Sequence, residues 1–292
     1  MIDWSEHTTY SDPGPDHAAT VAAVPTDPRG VSTVARNLIG HYRAQAADLP
    51  ESSRGDIHLR RLRRQLDVDR DRHGTPLATE RPLAERLQGC CRDHALFCVG
   101  VLRSAGIPAR SRVGFASYFE PPYHNDHVVV EMWRDDRWVR FDPGLGDEWA
   151  GAADTYDLPT GAEAPYRTAA EVYRAYRDGT IDPEQYGVGP GLGIGGAWFI
   201  EGEVIYEVAH RYGDEVLLWD IWGAMPAPDE AGDPERVALL DRVSELLVAS
   251  DAGDRAAEQE LFVLYRSDDR LHPGPTVRRM SPFGEDTVVD RL

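Results

Sequence analysis

The segment CRDHALFCVGVLRSAGIP, from Cys91 to Pro108, predicts the central helix of the fold. Its apolar residues recur at helical spacing on more than one face, which is typical of a buried helix. Gly106 followed by Pro108 is a stop signal, and Asp93 complements the positive end of the helix dipole. A thiol at the start of such a helix lies beside backbone N–H groups, which favour the thiolate and can hold the oxyanion of a tetrahedral intermediate.

A strand pair follows, from Asp126 to Trp133 and from Trp138 to Pro143. With the turn centred on Asp135-Asp136, the two tryptophans at the ends of these segments face each other. His127 and Asp142 then become diagonal neighbours on one face, within reach for those side chains. A register shift of one residue would mix these polar side chains with the apolar side chains of the opposite face. The opposite face is apolar and consists of Val128, Val130, Met132, Val139 and Phe141.

Cys91, His127 and Asp142 therefore form a candidate triad for thiol acyl-transfer chemistry. Each has a simpler interpretation when taken alone. A free cysteine is most often a small buried hydrophobe, and Cys90 and Cys98 are further examples. A strand histidine beside an aspartate can be an ordinary satisfied pair. Helix periodicity fits Cys90 and Cys91 equally well.

These motifs resemble those of the transglutaminase-like superfamily, with RLQGCCRD at residues 86–93, GIPAR at 106–110 and WDIWG at 219–223. The resemblance spans about Pro76 to Gly223. It implies an α+β fold of the papain-like, transglutaminase-core type, in which the catalytic helix packs on an antiparallel sheet. It also implies that Cys91 is the nucleophile, because the nucleophile directly precedes the Arg-Asp pair, and that Cys90 is a packing neighbour. Many relatives carry tryptophan at the position of Val128.

The implied activity is that of a cysteine acyltransferase. Cys91 attacks an amide carbonyl of a peptide or small amide, and the resulting thioester passes the acyl group to an amine. The alternative is a cysteine peptidase or amidase that hydrolyses the same thioester, and a more distant one is a non-catalytic binding module. The backbone N–H of Cys91 is the expected oxyanion donor, with the Gln88 side chain as a weaker candidate.

Trp219, Asp220 and Trp222 are candidate substrate-binding residues, because aromatic rings that bracket an acid suit a pocket for an amine. The favoured alternative is that the tryptophans pack the C-terminal helices against the core. The run GLGIGG at 191–196 matches the dinucleotide fingerprint formally. No βαβ pattern surrounds it, so we expect no cofactor.

A zinc site at His94, His124 and His127 has to be considered. His124 lies in a Pro-Pro-Tyr-His-Asn loop rather than on a helix, and a third well-spaced ligand is missing. No acidic loop has EF-hand spacing. We expect no metal.

The composition describes an acidic chain, with 31 basic residues, all of them arginine, against 50 acidic ones in 292. The net charge of −19 disfavours nucleic acid as a partner. No apolar run suits a membrane span, and the N-terminus lacks the pattern of a signal peptide. Three cysteines make no disulfide framework, so we expect a cytoplasmic, reduced protein. The sequence leaves the oligomeric state undetermined.

The predicted organisation has three parts. Residues 1–50 form an N-terminal segment with one helix, residues 51–225 the catalytic core and its extension, and residues 226–292 a C-terminal helical region. The predicted helices outside the catalytic one are Val31 to Ala47, His58 to Asp71, Ala169 to Arg177, Glu203 to Tyr212, Asp233 to Ser250 and Asp254 to Tyr265, and Ala109 to Tyr118 is predicted as a strand.

Overall fold

The computed structural model describes residues 2–149, 154–228 and 230–292, and it has the predicted α+β class. The α-helices are α1 (Ala18–Ala22), α2 (Pro28–Leu38), α3 (Leu62–His73), α4 (Cys91–Ser104), α5 (Ala169–Arg177), α6 (Ala197–Arg211), α7 (Pro234–Asp251) and α8 (Arg255–Ser267). The strands are β1 (Ile39–His41), β2 (Leu87–Gly89), β3 (Ala109–Ala116), β4 (His124–Arg134), β5 (Arg137–Phe141), β6 (Tyr166–Thr168), β7 (Tyr186–Gly187), β8 (Asp220–Ile221), β9 (Thr276–Met280) and β10 (Asp286–Asp290). Short 3₁₀ helices lie at Pro15–His17, Ala46–Asp48, Glu51–His58, Leu83–Glu85, Asp147–Trp149 and Pro183–Gln185.

The chain divides into two compact units whose limits differ from the predicted divisions at residues 50 and 225. The cysteine unit comprises Asp3–Ser111 and Val128–Leu158, together with the last residue. The histidine unit comprises Arg112–His127 and Pro159–Arg291, together with the first two residues. Strands β3 and β4 therefore each contribute residues to both units.

Helix α4 is the centre of the cysteine unit. Every residue from Cys91 to Arg103 is buried, and the helix packs against α1, α2, α3, β1 and β2. Gly100 allows this packing, because a β-carbon there would lie 2.2 Å from Leu62 and 2.8 Å from the carbonyl of Ser11. The apolar residues on several faces of this helix in the sequence thus agree with a helix that is buried on every side.

The larger sheet has the strand order β5-β4-β3-β6, and β7 pairs in parallel with β4. The hairpin of β4 and β5 has the predicted register, with Trp133 opposite Trp138 and Val130 opposite Phe141. Asp135 and Asp136 form its turn with positive φ angles of 51° and 59°. Two successive positive φ angles match the type I′ turn, whose twist suits a two-residue hairpin.

The histidine unit is organised around helices α5, α6 and α7, which pack on one another, while α8 packs on α7. Buried charges join these elements to β3. Arg112 binds Glu207 at 2.8 Å and Asp251 at 2.5 Å, and Arg211 binds Asp251 at 2.8 Å. A second sheet of order β10-β9-β8 completes this unit.

Three predicted elements need correction. Helix α2 ends at Leu38 rather than Ala47, because Ile39–His41 leaves the helix to pair in parallel with β2. Helix α6 begins at Ala197, six residues earlier than predicted, so its first turn takes up the apolar residues after Gly196. The C-terminal region 226–292 is not entirely helical, since β9 pairs with both β8 and β10. No helix in the part of the chain that the structure describes is long and apolar enough to cross a membrane.

Candidate active site

Helix α4 starts at Cys91, and a carboxylate caps it. Cys90 is the N-cap residue, and its backbone N–H donates to Asp93 Oδ2 at 2.8 Å. The preceding residue must be glycine, because a β-carbon at Gly89 would lie 2.9 Å from both Asp93 and Ile39. The backbone at Gly89 therefore packs closely against Asp93 and Ile39, and Cys91 is the first residue of the helix.

The capping carboxylate is itself firmly held. Asp93 Oδ1 accepts hydrogen bonds from Gln65 Nε2 and from Arg92 Nη1, both at 2.9 Å. The same guanidinium donates to the carbonyl of Arg60 at 2.5 Å. Burial raises the pKa of Asp93, although Arg92 and the bond from Cys90 act in the opposite direction. Since Gln65 belongs to α3, these bonds fix the start of α4 against that helix.

All three cysteines are buried and form no disulfide. The hydrogen bond between Cys90 and Cys91, together with burial, raises the pKa of the Cys90 thiol well above its ordinary value. Burial likewise raises the pKa of Cys98. A thiol held in its protonated form is a poor nucleophile. Cys98 is therefore not suited to attack a carbonyl.

A second histidine lies beside the predicted nucleophile. His94 is buried, and its Nδ1 lies 2.9 Å from the carbonyl oxygen of Cys90. Burial lowers the pKa of its imidazole to about 4, and the charges of Cys91 and Asp142 only partly offset this effect. A base so weak is poorly matched to a thiol. The sequence indicates His94 only as a possible metal ligand, although a side chain four residues after the N-cap can reach the N-cap carbonyl.

Asp142 lies in the cysteine unit with Cys91 and follows directly after β5. It is fully buried, its N–H donates to the carbonyl of Thr155 at 2.8 Å, and its Oδ1 accepts from the N–H of Gly144 at 2.9 Å. The charges of both Cys91 and Asp142 act on the pKa of His94. The structure therefore brings these two members of the predicted triad into one neighbourhood.

His127 lies on β4 at the end of a segment of the histidine unit. It is 6 % exposed, and its ring meets the ring of Phe119 edge to face, with centroids 4.9 Å apart. The Tyr118 ring is 6.3 Å away. The Tyr166 hydroxyl donates to the carbonyl of Arg112 at 2.7 Å and lies 3.4 Å from the carbonyl of His127. Aromatic packing thus holds the imidazole in one orientation.

Gln88, the weaker candidate for an oxyanion donor, uses its side chain elsewhere. Its Nε2 donates to the carbonyl of Pro50 at 2.6 Å and to Ser53 Oγ at 2.9 Å. An amide nitrogen has two N–H groups, so both are engaged within the fold. The Gln88 side chain is therefore not available to donate to an oxyanion.

The predicted substrate-binding residues Trp219, Asp220 and Trp222 are all buried in the histidine unit. Asp220 is fully buried, and its Oδ2 accepts from the N–H of Leu217 at 3.2 Å. Trp222 Nε1 donates to the carbonyl of Leu271 at 2.9 Å. These contacts favour the packing alternative over a substrate pocket.

In residues 2–149, 154–228 and 230–292, no group of three or more His, Cys, Asp or Glu side chains could hold a metal ion. His124, one of the three histidines considered for zinc, stacks on the ring of Tyr186 with centroids 4.3 Å apart. Partial burial lowers its pKa.

An open groove of about 490 Å³ lies in the histidine unit, beside the loop that leads into β4. Glu120 and Glu184 line it together with Tyr123. Burial and the surrounding carboxylates raise the pKa of this tyrosine. None of the predicted site residues lines the groove.

Part of the chain is similar to a known family. Residues 43–143 match the family model of the transglutaminase-like superfamily, and this range contains Cys91, His127 and Asp142. A solved structure described as a "Putative Cysteine Protease from Cytophaga hutchinsonii" shares 20 % sequence identity, with a TM-score of 0.18. The match covers 49 % of this chain and 48 % of that one, so the chain spans about half the length of that protein. The comparison with curated proteins finds no match.

The helix that begins with a cysteine and the antiparallel hairpin that follows it belong to an α+β fold. The match of residues 43–143 to the transglutaminase-like model supports a cysteine enzyme in general.

Proposed function

We propose that the protein is a transglutaminase-like acyltransferase with Cys91 as nucleophile, His127 as acid and base, and Asp142 as the orienting carboxylate. Its substrates are a peptide or small amide and an acceptor amine. The observation that carries this proposal is the register of the β4–β5 hairpin. Val130 faces Phe141, the last residue of β5. Continued by one residue beyond this strand, the same register would set Asp142 opposite Val129.

The same register determines how far His127 would lie from Asp142. Side chains two residues apart on a strand point to the same face, so His127 shares a face with Val129. Diagonal neighbours across an antiparallel pair lie about 7–8 Å apart at their α-carbons, which long side chains can bridge. Asp142 is fully buried, and a buried carboxylate needs partners that donate hydrogen bonds or carry positive charge. An imidazolium on His127 would be such a partner.

The reaction proceeds in two halves. His127 takes the proton of the Cys91 thiol, and the thiolate forms a bond to the amide carbon. The tetrahedral intermediate collapses to a thioester as the carbon–nitrogen bond breaks and the imidazolium protonates the leaving amine. An acceptor amine then attacks the thioester, His127 removes its proton, and Cys91 leaves as the thiolate. The N–H of Cys91 stabilises the oxyanion in both halves.

Water in place of the amine gives hydrolysis by the same steps, and one experiment separates the two outcomes. The purified chain is incubated with a library of amide-bearing peptides, with and without a primary amine, and the products are followed by mass spectrometry. Transfer replaces the leaving ammonia by the added amine, whereas hydrolysis leaves a carboxylic acid in both samples. We expect the amine adduct to dominate when amine is present. The acid alone in both samples would make the protein an amidase.

Variants test the roles of the residues. Cys91→Ala should abolish the covalent acyl-enzyme, whereas Cys90→Ser is the matched control, since serine is a good N-cap residue. Asp142→Asn should keep the fold and slow the reaction on the order of 10³- to 10⁴-fold, because the imidazole loses its orienting anion. Full activity in Cys91→Ala would refute the proposal, and near-normal turnover in Asp142→Asn would remove Asp142 from it.

A further inference from the structure

The side chain of His94 forms a hydrogen bond that fixes its own chemical state. Its Nδ1 lies 2.9 Å from the carbonyl oxygen of Cys90, and both residues are buried. A carbonyl oxygen can only accept, so the proton is on Nδ1 and the lone pair is on Nε2. Since burial lowers the pKa of this imidazole to about 4, the ring is neutral at neutral pH. His94 is therefore a permanent donor to one backbone carbonyl.

That carbonyl belongs to the peptide group that joins Cys90 to Cys91. Its oxygen also accepts from the backbone N–H of Asp93 at 3.0 Å and of His94 at 3.2 Å. On the other side of Cys90, its N–H is bound to Asp93 Oδ2 at 2.8 Å. The peptide group is planar, so fixing its oxygen also fixes the direction of the N–H at its other end. This N–H is that of Cys91.

We propose that His94 is a positioning residue, which orients and polarises the Cys90–Cys91 peptide so that the N–H of Cys91 can stabilise the oxyanion. The inference rests on the proposed function. Two effects contribute. A third hydrogen bond to the oxygen restricts rotation of the peptide plane, and hydrogen bonds to a carbonyl strengthen the donor at the other end of the amide. An oxyanion donor is effective only when it is aimed at the position of the developing charge.

The weak basicity of His94 agrees with this role. A histidine that competed with His127 for the thiol proton would need a pKa near the working pH. Burial keeps the pKa of His94 well below such a value. A purely structural role would affect the stability of α4 but would leave the rate of the folded enzyme unchanged.

The test compares side chains with and without a donor at the position of Nδ1. His94→Phe keeps a ring and removes the donor, whereas the amide of His94→Asn can place an N–H close to the position of Nδ1. For the folded protein we expect His94→Phe to lower kcat on the order of 10- to 100-fold with KM unchanged, a smaller loss than complete removal of an oxyanion donor. His94→Asn should recover most of kcat. If His94→Phe does not fold, His94→Leu and His94→Asn provide a nearly isosteric pair for the same comparison.

A second measurement separates the oxyanion from the thiolate. Alkylation of Cys91 by iodoacetamide displaces iodide from carbon and forms no oxyanion, so its rate should be the same in wild type, His94→Phe and His94→Asn. Equal kcat values in the donor and non-donor variants would overturn the proposal, as would a matching loss of alkylation rate. The proposed function fails separately, if Cys91→Ala retains activity.

Discussion

Replacement of His94 should also change how folding stability depends on pH. Burial is the main reason why the pKa of its imidazole falls from 6.5 to about 4 in the folded protein. In the unfolded chain the group returns to its ordinary value. Between these two pH values the unfolded chain binds more protons than the folded chain, so stability rises with pH in this window. The contribution of neutral His94 is complete above pH 6.5 and is lost as the pH falls towards 4.

The size of the effect follows from the two pKa values, since one pKa unit corresponds to about 1.36 kcal/mol. Relative to pH 8, protonation linked to His94 should lower the free energy of unfolding by about 2 kcal/mol at pH 5 and by about 3 kcal/mol at pH 4. His94→Phe and His94→Asn cannot titrate, so both should lose this slope. Burial raises the pKa values of Asp93 and Glu207, which act in the opposite direction. All three proteins contain them, so the comparison cancels their contribution.

Urea unfolding followed by tryptophan fluorescence at a series of pH values measures these free energies. His94→Asn is the matched control, because it can keep the hydrogen bond to Cys90 but has no titrating group. An NMR titration of the His94 ring in the native protein gives its pKa directly. A common pH slope in all three proteins, or an NMR midpoint near 6.5, would refute the reasoning.

Four further predictions concern the thiols, the hairpin, Asp220 and metals. Limited iodoacetamide treatment should alkylate Cys91 before Cys90 or Cys98, whose pKa values are raised, and peptide mapping that finds Cys90 labelled first would contradict the choice of nucleophile. Asp136→Gly should raise the free energy of unfolding by about 1 kcal/mol, because glycine relieves the left-handed φ of 59°, and an unchanged urea midpoint would argue against a type I′ turn. Asp220→Asn should lower the melting temperature without changing KM for the amine, since the side chain is fully buried, whereas a raised KM at full stability would restore the pocket interpretation. EDTA should leave activity unchanged while thiol alkylators destroy it, and a loss on chelation that zinc reverses would favour a metal mechanism.

Local signals explain why α4 and the β4–β5 hairpin could be predicted from the sequence. The stop signal after α4, its apolar faces and the Asp135-Asp136 turn all act between residues close together in the chain. Strand β1 is a different case, since Ile39 pairs with Leu87 in a distant segment. Helical periodicity continued through Ile39, and only this distant pairing ends the helix at Leu38. Strands β9 and β10 pair locally, with Met280 opposite Asp286, and were not predicted; only the pairing of β9 with β8 joins distant segments.

The same distinction between local and long-range signals applies to the candidate site. Cys91, His127 and Asp142 were predicted from their order, from the hairpin register and, for the choice of Cys91 over Cys90, from the family resemblance. The proposed role of His94 depends on its bond to Cys90, and two of the groups whose charges act on its ring, His41 and Asp142, come from distant parts of the chain. The aromatic neighbours of Asp220 suggested a pocket as the less favoured interpretation, and the burial of Trp219, Asp220 and Trp222 could be seen only in the structure.

The hairpin register, on which the proposed triad depends, is maintained by buried charges that take no part in the chemistry. Glu131 of β4 binds Arg140 of β5 and Arg110 of β3, both at 2.8 Å, and all three side chains are buried. The guanidinium of Arg110 also lies 4.3 Å from the ring centre of Trp138. A slip of one residue between β4 and β5 would separate Glu131 from Arg140, and a buried ion pair that loses one partner costs about 3–5 kcal/mol. The same slip would turn the Asp142 side chain to the other face of β5, so the proposed pairing of Asp142 with His127 depends on the register that this cluster stabilises.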